Sequence, residues 1–112
     1  MSNNAFTVEE PTTDDEPELF VGYNRDQSII VTYSYYGFVG LQLTADAYRL
    51  TESSLAHAIV EVAHLAHQRA MASMRELELS LGVARINLDR RRLPTHDQVD
   101  ELQKRLHESP DF

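Results

Sequence analysis

Four side chains in one stretch, His57, Glu61, His64 and His67, are of the types that hold metal ions. Glu61-x-x-His64 and His64-x-x-His67 have i,i+3 spacing. Di-metal helical bundles use Glu-x-x-His, but they need a second copy of it and two further Glu from facing helices. This chain has one copy. It has no cysteine, which excludes disulfides, thiolate nucleophiles and Cys-based zinc or iron–sulfur centres. His64 and His67 also fall off the apolar stripe of their helix. His57 and Glu61 form an i,i+4 pair worth about a few tenths of a kcal/mol. We expect no metal and no other cofactor.

Other catalytic constellations have less support. Gly22, Gly37, Gly40 and Gly82 are scattered, so none of them forms a phosphate-cradling loop. No serine sits in a strand–turn–helix elbow, and no identifiable scaffold pairs two carboxylates. Tyr33, Tyr35 and Tyr36 could floor a ligand pocket, although aromatic residues on a strand more often pack across it. The chain does not read as an enzyme. The strongest charged motif is Arg85 with Arg90-Arg91-Arg92, four guanidiniums in eight residues. Such a cluster can bind phosphate if it is segregated from the acidic remainder. Asp89 lies within it, however, and no aromatic interleaves it for base stacking.

The elements that must carry these residues are legible. Leu19, Val21 and Tyr23 alternate with Phe20, Gly22 and Asn24, and Asn24-Arg25-Asp26-Gln27 has turn chemistry. Ser28–Tyr36 is β-branched and aromatic, Gly37 breaks it, and Phe38–Thr44 follows with Val39, Leu41 and Leu43 on one side. Three strands with short turns predict an antiparallel meander. After a connector at 45–50, Thr51-Glu52-Ser53-Ser54 offers N-cap oxygens, and neither Gly nor Pro occurs before Gly82, a natural C′ residue. Leu55, Ile59, Val62, Ala66, Ala70, Met74, Leu77 and Leu81 recur at helical spacing. A helix of about 28 residues is roughly 42 Å long, whereas a compact domain of this size has a radius of gyration of about 13 Å. Three short strands cannot cover that stripe. The surplus must face a second copy, another protein or the C-terminal segment.

That segment mixes Ile86, Leu88 and Leu93 with the arginines, then opens a short amphipathic helix at Pro94-Thr95-His96-Asp97-Gln98, with Thr95 and Gln98 at capping-box spacing. Val99, Leu102 and Leu106 give it a narrow stripe for docking on the chain itself or on a partner. Together with Tyr33 and Tyr35 these are the candidate partner-binding residues.

Composition sets the outer limits. The 112 residues are 42% hydrophobic and 8% aromatic, enough for one modest core, with a net charge of -8. Residues 1–18 hold six acids and no base, while residues 19–112 hold 12 acids and all 10 bases. The chain therefore divides into an acidic leader at 1–18, expected to be disordered, a meander with its long helix at 19–82, and a basic connector with a short helix at 83–112. Nothing at the start looks like a signal peptide and no apolar run approaches a membrane span. We expect a cytoplasmic protein with no membrane partner.

The order of three strands and a long helix resembles the YbaB/EbfC superfamily, and more closely the actinobacterial EspD/EspH group associated with type VII (ESX) secretion. The resemblance is carried by Glu18-Leu19-Phe20, Ser28-Ile29-Ile30-Val31-Thr32, Gly37, and Leu41-Gln42-Leu43-Thr44. It continues in the helix opening Thr51-Glu52-Ser53-Ser54-Leu55-Ala56 and in Leu65-Ala66-His67-Gln68-Arg69-Ala70-Met71-Ala72-Ser73. It implies an α+β homodimer whose core holds Val31, Leu41, Leu43, Leu55, Ile59, Val62 and Ala66. The over-long apolar helix, the tyrosine-bearing sheet and the C-terminal helix predict a non-enzymatic protein-interaction module, and the resemblance implies an accessory or stabilising factor for a type VII secretion substrate. The alternative is a nucleoid-associated DNA-binding protein of the YbaB type, for which the cluster Arg85, Arg90, Arg91 and Arg92 supplies the candidate phosphate contacts. The nucleoid-associated members carry a leading helix rich in Lys and Gln, where this chain has its acidic leader.

Overall fold

The computed structural model describes residues 18–112; the expected acidic leader, apart from Glu18, lies outside the described residues. Strands β1 (Phe20–Tyr23), β2 (Ile29–Ser34) and β3 (Gly37–Leu43) form one antiparallel sheet in the order β1-β2-β3. A single 3₁₀ turn (Ala45–Arg49) leads into the long helix α1 (Glu52–Ser80). A short helix, α2 (Arg85–Arg90), and a C-terminal helix, α3 (His96–Glu108), complete an α+β fold.

Helix α1 forms where its ends and its face agree. Thr51 Oγ1 accepts from the Ser54 amide (3.1 Å) at the N-terminus. At the other end Gly82 has φ 94°. The Val83 amide donates to Glu78 O and the Gly82 amide to Leu79 O, the two bonds of a Schellman cap. The face between the caps is small and apolar, with Ala58, Val62, Leu65, Ala66, Ala70 and Ala72 buried. Those alanines let the helix come close. A Cβ at Gly22 would lie 2.6 Å from Val62 O and 2.8 Å from the Ala66 amide nitrogen, so β1 touches the helix backbone directly. Helix α1 lies over β1 and β2 and leaves β3 beyond it.

The β1–β2 turn is pinned from within. Asn24 is fully buried: its Oδ1 accepts from the Ile29 amide (2.9 Å), and its Nδ2 donates to Ser28 Oγ (3.0 Å) and to the Phe112 carbonyl (3.3 Å). Arg49 Nη2 donates to the same carbonyl (3.2 Å), and the Phe112 ring is buried edge-on to His57. One side chain thus joins the turn to the last residue. Asn24→Ala leaves the Ile29 amide and the Ser28 hydroxyl without this buried partner, at about 1 kcal/mol or more each, while the Phe112 carbonyl keeps Arg49. Urea unfolding should show a loss of about 2–3 kcal/mol, and a loss below about 0.5 kcal/mol would remove Asn24 as the pin.

Two expectations change here. Val31, Val62 and Ala66, expected in a dimer core, have no exposed surface and belong to the chain's own core. Nothing of them is left for a second copy to cover. The stretch 83–93, expected as a connector, contains helix α2, whose Leu88 is fully buried. That helix ends in a second Schellman cap, with Arg92 (φ 60°) in the place that glycine usually takes.

Candidate functional site

The three histidines of α1 face different neighbours. His57 lies 3.6 Å from Glu61 and against the Phe112 ring; His67 packs on Tyr33, with ring centroids 5.3 Å apart. His64 faces the groove between α1 and α3. Among the described residues no group of three His, Asp or Glu side chains could hold a metal ion.

The arginine cluster is divided. Arg91 makes a two-pronged contact with Glu78, at 2.6 and 2.9 Å. The hydrogen bond holds the Glu78 carboxyl below its ordinary range and pushes the Arg91 guanidinium up. Arg92 lines the groove beside α3. Arg85 and Arg90 stand at opposite ends of α2, about 7.5 Å apart along its axis. Sequence reading missed Arg75, the most buried charge among the described residues, at 6% exposure. Its Nη1 donates to Leu93 O (2.9 Å) and its Nη2 lies 2.8 Å from Asp89 Oδ1. This residue clamps the link between α2 and α3 onto α1. In the sequence its position showed only as a polar gap in the helical pattern.

The partner-binding candidates sort by burial. Thr95 and Gln98 make the expected capping box: Thr95 Oγ1 accepts from the Gln98 amide (3.2 Å), and Gln98 Oε1 accepts from the Thr95 amide (2.9 Å). Helix α3 then docks on α1, burying Val99 and Leu106 with Leu102 partly covered. While α3 is docked, Val99 and Leu106 are core residues and not free anchors. Tyr33 and Tyr35 are half-buried, Tyr33 against Phe38 and His67, Tyr35 against Phe20. Their rings are largely spent within the chain.

The open apolar surface lies elsewhere. On β3, Phe38 is 60%, Val39 53% and Leu41 43% exposed, although Phe38 and Leu41 pair across the sheet with the helix-facing Tyr33 and Val31. The register jumps between Thr32 and Tyr33, which leaves Val39 as a bulge. Tyr36 at the β2–β3 turn is nearly bare. Near its C-terminus α1 carries the exposed Leu77, and its C-cap residue Leu81 is exposed as well. The opposite sheet edge is touched at the end of β1, where His107 Nε2 sits 2.8 Å from Tyr23 O and the Tyr23 and His107 rings are 5.3 Å apart. Of the expected dimer core, Leu41 is exposed, while Leu43, Leu55 and Ile59 are partly buried. Strand β3 and the C-terminal end of α1 are thus the chain's candidate interaction surface. Comparison with protein-family models, curated proteins and solved structures finds no match to this chain.

Proposed function

We propose that this chain is a non-enzymatic protein-interaction module that pairs with a second copy of itself through β3. The single observation that carries this reading is an edge strand whose helix-facing Phe38 and Leu41 are exposed. An exposed, apolar sheet edge invites pairing with another strand. A second copy supplies the same edge about a twofold axis, so one patch is matched by itself. Pairing β3 with β3 joins the two sheets and covers Phe38, Val39 and Leu41. The C-terminal end of α1 at Leu77 and Leu81 is the surface for a further protein. By resemblance to the EspD/EspH group, that protein is a type VII secretion substrate, held or stabilised in the cytoplasm. Among the described residues no helix is long and apolar enough to cross a membrane.

The DNA-binding alternative rests on the arginines, and their division argues against it. Arg91 is matched by Glu78, and Arg85 and Arg90 are left at the two ends of a short helix. The test is a paired measurement on the full chain. Light scattering should give about twice the 12.8 kDa of one chain. Titration with duplex DNA should show nothing tighter than about micromolar at physiological salt. A one-chain mass would overturn the self-pairing reading. Tight DNA binding that falls steeply with salt and is lost in Arg85→Ala/Arg90→Ala would replace it with the nucleoid reading.

A further inference from the structure

Between α1, the α2–α3 link and α3 lies a cleft of about 640 Å³ that neither self-pairing nor partner docking uses. That is the size of a site for a small organic molecule. Three guanidiniums line it: Arg75, Arg92 and Arg105. Of the two carboxylates present, Asp89 is committed to Arg75 at 2.8 Å, which leaves Glu101 against Arg92 and Arg105. Neither of those two arginines has an ion-pair partner among the described residues. The cleft therefore offers more positive charge than it consumes.

From this arrangement we infer that the cleft binds a small organic anion: a phosphate or carboxylate head on a compact apolar body. The reading goes beyond the proposed function and does not depend on self-pairing. Arginine forks match both head groups in two-pronged geometry. Arg75 forms a fixed wall, because its two terminal nitrogens are already held by Leu93 O and Asp89. The apolar body has its own wall in Leu93, Val99 and Leu102. Arg92 closes the cap of α2 at φ 60°, a C′ position where glycine would be relaxed, and it lines the cleft.

The test titrates the full-length ¹⁵N-labelled protein with phenyl phosphate and, separately, benzoate, two probes with one apolar body and different heads. Saturable shifts at cleft residues are expected, with a Kd below about 1 mM for at least one probe. A clear preference for phenyl phosphate assigns a phosphate ligand; equal binding or a preference for benzoate assigns a carboxylate. Arg105→Ala and Arg92→Gly should each weaken binding about tenfold. Arg92→Gly keeps the backbone conformation and relieves its strain, so its Tm should not fall, and lost binding cannot be ascribed to unfolding. Arg90→Ala, outside the cleft, should bind as the parent does. No saturation up to about 10 mM of either probe, or binding unchanged in both cleft variants, would overturn the inference.

Discussion

Gly22→Ala should lower Tm by about 10–20 °C, a large effect for one methyl group. The added Cβ would meet Val62 O at 2.6 Å, the Ala66 amide nitrogen at 2.8 Å and Ala66 Cα at 3.2 Å. All three are backbone atoms of α1, so no rotamer change clears them. Either the helix lifts off β1 or the strand bows, and both open the core around Val31, Val62 and Ala66. Overpacking of this sort costs about 1–3 kcal/mol, and each kcal/mol shifts Tm by about 4–8 °C in a domain of this size. Gly22→Val, with two more methyls in the same place, should not fold. Gly40→Ala is the control, since nothing lies within 4 Å of its added Cβ. Thermal unfolding followed by circular dichroism decides the matter. A Gly22→Ala melting point within about 2 °C of the parent would mean that α1 does not sit on β1 as described.

That contact shows where sequence reading stops. The strands, the long helix and both expected caps were legible because each rests on local chemistry: β-branched runs, Thr51 and Thr95 with their amide partners, and Gly82 after an unbroken helical pattern. Gly22 looked like one more residue in an alternation, since its importance lies in an approach between β1 and a helix 40 residues downstream. Helix α2 was hidden because it has one buried anchor, Leu88, and a cap at Arg92 that carries no glycine signal. Phe112 has no periodicity around it, so its burial beside Asn24 and Arg49 could not be foreseen.

The exposure of β3 has a different cause, and it is one of dimensions. A helix is about 10 Å across, and strands lie about 4.8 Å apart, so one helix covers two strands. Period-2 patterning marks Leu41 and Leu43 as inward-facing, and in register they are, opposite Val31 and Ile29. Which strand the helix leaves uncovered depends on where the chain crosses over, and here Gly22 draws α1 toward β1. Alternation identifies a face without saying what covers it.

That geometry gives self-pairing a discriminating test. Phe38→Asp with Leu41→Asp should convert the paired protein to a single chain of 12.8 kDa while leaving it folded, because both side chains are already exposed in one copy. The same charge at Val62, which has no exposed surface, should abolish folding altogether. Burying an unpaired carboxylate costs several kcal/mol, and about 2.8 kcal/mol is already a hundredfold in affinity, so dissociation should be complete at micromolar concentration. An interface of apolar groups also responds weakly to ionic strength, since screening acts on charges. Removing Arg85 and Arg90 should therefore leave the mass unchanged at any salt concentration. Circular dichroism separates the two aspartate variants, and light scattering reads the mass. If Phe38→Asp/Leu41→Asp kept the parent's doubled mass, β3 would not be the contact. The C-terminal end of α1 at Leu77 and Leu81 would then be the next surface able to hold a second copy, and the same pair of measurements on Leu77→Asp/Leu81→Asp would assign it.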